Sequence, residues 1–378
     1  MPLSITEAFA DLPDPRLDRN RLHRLGDILT IALCAVISGA EGWEQIAEYG
    51  RSEEAFFRRY LALPNGIPSH DTFYRVFTRL DPDRFAACFG RWMAAACRDA
   101  GLVPIAVDGK AARRSRKDTF TGRLHLVGAW ATENRLILGQ VSVADGSHEI
   151  AAIPELLRTP DLNGALVTLD AAGCGAAVAA QIRGQGGDYL LAVKGNRPAL
   201  RDAVAAAFDR ACEGDFAGIG HDTHASAEDG HGRHEERTVI AIYDPQGLPD
   251  DWPDDWPDVA AAVFVGRERE PRGRPAGNTS TGHYYVTSHR GSAAELGRLV
   301  RGHWGIENGL HWVLDVAFRE DESRTSAGHA GANLGMLRRV AVSLLRRSGA
   351  RGSVQTRRMK AAWDDEYLLT TLHGINAV

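Results

Sequence analysis

Residues 103–108 read VPIAVD and residues 165–170 read ALVTLD, two short apolar runs that each end on an aspartate. Neither run has helical spacing, and each is short enough to read as a buried strand. Between them, RLHLVGAWA (123–131) and RLILGQVSV (135–143) flank Thr132-Glu133-Asn134 and read as an antiparallel hairpin. A helix is expected from about Glu149. After the second run come a helix from about Gly175, the strand DYLLAVK (188–194) and a helix from about Pro198. A hairpin followed by alternating strands and helices predicts a mixed α/β sheet rather than a doubly wound one.

Upstream, residues 22–100 read as helical. LGDILTIALCAVISG (25–39) stops at Gly39, and GWEQIAEYGRSEEAFFRRYLAL (42–63) continues at near-helical spacing. In NGIPSHDTFYRVFTRL (65–80), Asn65-Gly66 and Pro68 mark a turn and Ser69 an N-cap. The helix after it carries Arg75 and Arg79 among Phe73, Val76 and Phe77. That arrangement suits a helix-turn-helix-like DNA reader, and it suits an ordinary helical hairpin equally well. Downstream, residues 214–290 are loop-rich, with strands expected at TVIAIY (238–243), VAAAVFVG (259–266) and HYYVTS (283–288). From Ser292 the chain is mostly helical. The expected organisation is a small all-α domain over 1–100 and a mixed α/β domain over 101–378, interrupted at about 214–290.

The chain has 378 residues, 44% hydrophobic and 25% charged, which is ordinary for a globular protein of about two domains. A net charge of −5 argues against a histone-like polyanion binder but allows a local basic groove. The five cysteines form no CxxC pair, which fits a reducing compartment and speaks against a cysteine-based zinc site. The first residues lack a basic-then-apolar leader, and the apolar run Ile28–Gly39 is too short to span a bilayer. A cytoplasmic location away from membranes is expected.

The chemistry lies in the carboxylates. Asp108 and Asp170 close two apolar strands, where open α/β sheets place their sites, although a strand-end aspartate can equally be a turn cap. A third acid lies in RGHWGIENGLHWVLDVAFRED (301–321), where His303, Glu307, His311 and Asp315 recur every four residues. On one helix they would lie on neighbouring turns of one face, with Trp304 and Trp312 seating that helix against the sheet. Two strand-end aspartates and a helical glutamate offer hard oxygen ligands for Mg²⁺, with Mn²⁺ able to substitute. A pair of such ions can activate a water or hydroxyl and stabilise the leaving oxygen of a phosphodiester. Lys110, Arg113 and Arg114 follow Asp108 directly, and Lys194 follows a third strand. These cations would bring a polyanion's backbone to the site.

The chain resembles the bacterial DDE insertion-sequence transposases, in the branch of the H repeat-associated proteins. The matching blocks are LPDPR, GIPSHDTFYRVF, AVDGKAAR, SHEIAAIPELL, LVTLDAAGC, GGDYLLAVKGN, GHGRHEERT, RGHWGIENGLHWVLDVAFREDESR and AAWDDEYLL, spread from about residue 12 to 370. The resemblance implies a ribonuclease-H-like core with a β-rich insertion before its last catalytic helix, preceded by a transposase-associated domain. It implies that Asp108, Asp170 and Glu307 are the metal-binding acids. One departure stands out. Related enzymes carry Tyr-x2-Arg-x3-Glu-x6-Lys around the third acid, and here those flanking positions hold Val300, His303 and Leu314. The roles of that tyrosine and lysine do not carry over, and Asp315, Glu320 and Asp321 remain rivals for the third acid.

The expected function is Mg²⁺-dependent cleavage of double-stranded DNA at element ends and joining of the 3′-hydroxyl to target DNA. Asp108, Asp170 and Glu307 are the expected ligands. Lys110, Arg113, Arg114, Lys194, Arg301 and His303 are the expected backbone contacts, and a homodimer on DNA is the expected assembly. The basic C-terminal residues Arg338, Arg339, Arg346, Arg347, Arg357, Arg358 and Lys360 offer a further phosphate surface or a solvated helical cap. Two other readings exist. One is a catalytically silent DNA-binding protein derived from such an enzyme. The other is a zinc hydrolase built on the histidine ladder, or on His221, His224, His231 and His234, whose spacing fits no standard zinc pattern.

Overall fold

A computed structural model describes residues 8–94, 103–111, 125–133, 135–143, 149–230, 233–245, 252–253, 255–271 and 279–373. The chain divides into two compact units. The first comprises Met1–Ala100, Gly109–Pro160 and Gly305–Val378, and the second Gly101–Asp108 and Asp161–Trp304. Along the chain, after the N-terminal helices, the elements run strand, antiparallel hairpin, helix, strand, helix, strand, helix, then a four-stranded insertion and terminal helices. This is a mixed α/β fold of the ribonuclease-H-like kind with a β-rich insertion and a helical N-terminal part. No helix among the described residues is long and apolar enough to cross a membrane.

In the second unit, the first part of β1 (Val103–Ala111), up to Val107, pairs in parallel with β4 (Ala165–Leu169), which pairs in parallel with β5 (Asp188–Val193). The antiparallel strand β9 (Thr279–Thr287) extends them on β5, followed by β8 (Ala261–Pro271), β7 (Arg233–Tyr243) and β6 (His221–Gly230). Leu166, Leu190, Val239, Val263 and Tyr285 from these strands pack with Leu296, Leu299 and Val300 of the helix Ala293–His303. Residues 221–230 are strand, whereas the glycines and histidines there suggest a flexible turn. The reason is that almost every β6 side chain is exposed, so the strand carries no apolar alternation. Ten backbone pairings with β7, not buried side chains, hold it in register.

The first unit is organised around one helix. Ala330–Arg347 is buried along almost its whole length. Asn333 Nδ2 donates to the carbonyls of Phe77 (2.8 Å) and Leu80 (2.9 Å), at the end of the helix His70–Arg79. Arg338 Nη2 donates to the Glu41 carbonyl at 3.2 Å. On the other side, Gln140 Nε2 of β3 (Leu136–Ser142) donates to the Ala332 carbonyl at 3.1 Å. Arg358 donates to the carbonyls of Val36 (2.9 Å) and Ala317. Arg338, Arg339 and Arg358 are each at most 3% exposed. They form neither a phosphate surface nor a solvated cap. Each guanidinium satisfies backbone carbonyls or a carboxylate in the interior, as a buried charge must.

The helix Pro82–Ala94 crosses β3 so closely that a Cβ on Gly90 would stand 2.4 Å from the Leu138 carbonyl oxygen. A backbone oxygen cannot swing aside. Gly90→Ala is therefore expected to destabilise the fold by about 1–3 kcal/mol, the usual range for overpacking. Urea denaturation measures it, and an unchanged midpoint would contradict the close approach.

Candidate active site

The parallel register of β1 and β4 brings the two aspartates together. Val107 and Leu169 form the last β1–β4 pair, so Asp108 and Asp170 each follow it directly on adjacent strands; β1 runs on to Ala111, three residues beyond the strand end expected at Asp108. Asp170 Oδ1 accepts from the backbone N–H groups of Ala172 (3.0 Å) and Gly173 (3.2 Å). The turn-capping role is thus real, yet it occupies one oxygen and leaves Oδ2 outside those bonds. Two neighbouring carboxylates at a strand edge suit a hard divalent cation.

His303 closes the helix Ala293–His303 in the same unit and lies 7% exposed. Its Nδ1 stands 3.0 Å from Thr168 Oγ1, on β4 two residues before Asp170. Burial pushes its pKa down to about 4, although Asp170 and the Thr168 bond pull the other way. Buried and neutral, this imidazole offers a phosphate no positive charge at neutral pH. Linkage has a definite sign here. The imidazole binds its proton more readily unfolded, so its contribution to stability is full above about pH 6.5 and is lost as pH falls through 4. His303→Asn keeps a donor near Nδ1 without the titration. It is expected to flatten the slope of unfolding free energy against pH between 7 and 4.5, while His311 keeps part of it. Identical slopes in urea titrations would sink this account.

The expected helical ladder is broken. The first helix ends at His303, a π-helical turn spans Glu307–His311, and a new helix runs Trp312–Phe318. Each π-helical hydrogen bond takes in one more residue than an α-helical one, so four-residue spacing no longer keeps one face. The tryptophans do not seat the helix either: Trp304 is 49% and Trp312 60% exposed. In the first unit Glu307 is half exposed, and His311 Nδ1 lies 3.5 Å from its carboxylate. Burial pushes the His311 pKa down to about 3, helped by the charges of Arg339 and Lys110, so this imidazole too is neutral.

The rival acids are all engaged with cations. Glu320 and Arg339 form a buried pair at 2.8 Å. Lys110 Nζ stands 2.8 Å from Asp315 and 3.5 Å from Asp321. Its side chain is only 10% exposed, and its ammonium faces these two carboxylates. Nothing in the sequence announced this partnership, because 205 residues separate Lys110 from Asp315. Arg113 and Arg114 lie outside the described residues.

Lys194 and Arg301 do meet. Both line a cavity of about 530 Å³ in the second unit, between the inner face of the insertion strands and the helix Ala293–His303. Arg237, Arg267 and Arg298 line it as well, with Glu228 as the acid and Trp304 beside them. Arg237 and Arg267 sit directly opposite on β7 and β8, a like-charge pairing that normally destabilises a sheet. Glu228 offsets part of this, holding Arg301 at 2.6 Å and Arg237 at 3.7 Å. Burial depresses the His283 pKa, and the charges of Lys194 and Arg267 lower it further. Sequence reading named two of these residues and missed the other three arginines, which alternate on strands and recur on a helix with no local motif.

The family described as "DDE_Tnp_1-associated" matches residues 6–93, and "Transposase DDE domain" matches residues 98–344. The "H repeat-associated putative transposase YhhI" of Escherichia coli K12 is 36% identical over 98% of both chains. A protein encoded in the dhlA 3′ region of Xanthobacter autotrophicus is 43% identical over 74% of this chain and 93% of its own length. Among solved structures, a piggyBac transposase synaptic complex with hairpin DNA aligns at a TM-score of 0.42 with 6% identity, over 99% of this chain and 77% of that one. That likeness by itself fixes neither fold nor activity. The chain belongs to the DDE transposase family of bacterial insertion sequences, with the H repeat-associated proteins among its relatives.

Proposed function

We propose that this transposase cuts DNA at the ends of its element and joins the freed 3′-hydroxyl to target DNA, with Asp108, Asp170 and Glu307 holding Mg²⁺, for which Mn²⁺ can substitute. The observation that carries the reading is the β1–β4 register, which places Asp108 and Asp170 directly after the last pair of two adjacent strands. Support for Glu307 as the third comes from its rivals, since Asp315, Glu320 and Asp321 each face a lysine or arginine. Bound divalent ions would supply a nucleophile at neutral pH and neutralise charge on the phosphorane-like transition state. The chain's own residues hold and orient. Hydrolysis breaks the P–O3′ bond at the element end and leaves a 3′-hydroxyl. That hydroxyl then forms a P–O bond to the target as the target's own P–O3′ bond breaks.

In this reading the cationic cavity, with Lys194 and Arg301, takes DNA phosphates, and Arg113 and Arg114 add to that contact beside Asp108. Residues 1–100 form the DNA-binding part, where the exposed Arg75 and Arg79 of the helix His70–Arg79 face outward. Residues 101–378 form the catalytic part. The enzyme works in the cytoplasm, as a homodimer on DNA. A nicking and joining assay on the element's terminal repeats tests the reading. Metal-dependent nicks with 3′-hydroxyl ends and joined products are expected. DNA binding without any cleavage in Mg²⁺ or Mn²⁺ would refute it.

A further inference from the structure

We propose that Lys110 is a positioning residue, a charge clamp that fixes the helical segment bearing Glu307 on the end of strand β1. The inference rests on reading Asp108 and Glu307 as metal ligands. Asp108 and Lys110 are two residues apart on one strand, so their side chains leave the same face. The Lys110 ammonium reaches Asp315 at 2.8 Å and Asp321 at 3.5 Å. Asp315 lies two turns beyond Glu307, and Asp321 lies in the 3₁₀ turn that closes the same segment. One little-exposed cation therefore ties the end of β1, two residues after one acid, to the helix Trp312–Phe318 that follows another and to the 3₁₀ turn after it.

Two features make the clamp specific. Among the described residues Asp315 Oδ1 is buried without a hydrogen-bond partner, so balancing that carboxylate falls on the Lys110 contact to its other oxygen. Between Glu307 and Asp315 the backbone makes a π-helical turn, which leaves the direction of the Glu307 side chain sensitive to how the following helix is held. A carboxylate that must arrive at a metal within a fraction of an ångström needs such support, because a misplacement of about 1 Å can cost ~10²-fold in rate.

The test uses the full-length protein and DNA carrying the element's ends. Lys110→Met is compared with wild type in DNA affinity, in single-turnover cleavage at saturating DNA, and in the Mg²⁺ concentration giving half the maximal rate. The expected result is a DNA Kd within about twofold of wild type, cleavage slowed ~10²-fold, and a raised half-saturating Mg²⁺. Lys110→Arg should recover most of the rate. A weakened Kd with unchanged rate and Mg²⁺ dependence would mean a phosphate contact and would overturn the proposal, as would wild-type cleavage. Should Lys110→Met fail to fold, Asp321→Asn removes the longer contact instead. The same Mg²⁺ shift, smaller, is then expected, and its absence overturns the clamp. Glu307→Gln separates the two levels of the argument. If that variant cleaves normally, the metal-ligand reading has failed. If it is inactive while Lys110→Met cleaves normally, only the clamp has failed.

Discussion

Asp170→Asn is expected to lower DNA cleavage by about 10³-fold or more while leaving the fold and DNA affinity intact. The substitution is chosen because Asp170 does two things. Its Oδ1 accepts two backbone N–H bonds and shapes the turn after β4, and an asparagine oxygen accepts them equally well. What the amide cannot supply is the negative charge that binds a divalent cation. Loss of one ligand removes several kcal/mol of transition-state stabilisation, and each 1.36 kcal/mol is a factor of ten in rate. Wild-type and variant are compared by single-turnover cleavage and by filter binding. Wild-type cleavage in Asp170→Asn, with a loss only in Asp170→Ala, would reduce the residue to a turn cap and sink the three-acid assignment. Asp108→Asn and Glu307→Gln are expected to match Asp170→Asn.

Arg339→Met is expected to destabilise the first unit by about 3–5 kcal/mol, the range for breaking a buried ion pair from one side. Arg339 and Glu320 are 2% and 5% exposed, and Arg339 Nη1 also donates to the Gly335 carbonyl at 3.0 Å. Removing the guanidinium leaves the Glu320 carboxylate in the interior without its cation. The damage comes from that stranded charge, so the double variant Arg339→Met/Glu320→Leu should recover much of the loss. Guanidinium denaturation of the three proteins measures both effects. A single variant within about 1 kcal/mol of wild type would show that water reaches Glu320 and that the pair is not buried in solution.

The two strand-end aspartates were legible because their signal is local: an apolar run, then an acid, then a turn. So were the core strands and helices from Val103 to Glu213, whose periodicities change cleanly from one element to the next. Strand β6 was not, because an exposed edge strand needs no apolar face and so writes no pattern. The ladder from His303 to Asp315 misled for a different reason. Four-residue spacing implies one face only if the helix is unbroken, and the π-turn at Glu307–His311 has no compositional mark.

Charge proved least readable. Lys110, His303 and the C-terminal arginines all looked like phosphate ligands, since a cation in sequence carries no record of its burial or partner. The partners came from 19 residues away for Arg339, 205 for Lys110 and 322 for Arg358. The sequence by itself determined the family and the α/β class, because those depend on residue type and short-range spacing. Tertiary structure alone decided which charges are buried against partners and which are exposed. Long-range packing sets the solvation of a charged group, and solvation decides whether a cation waits for a ligand or must find its counter-ion inside the protein.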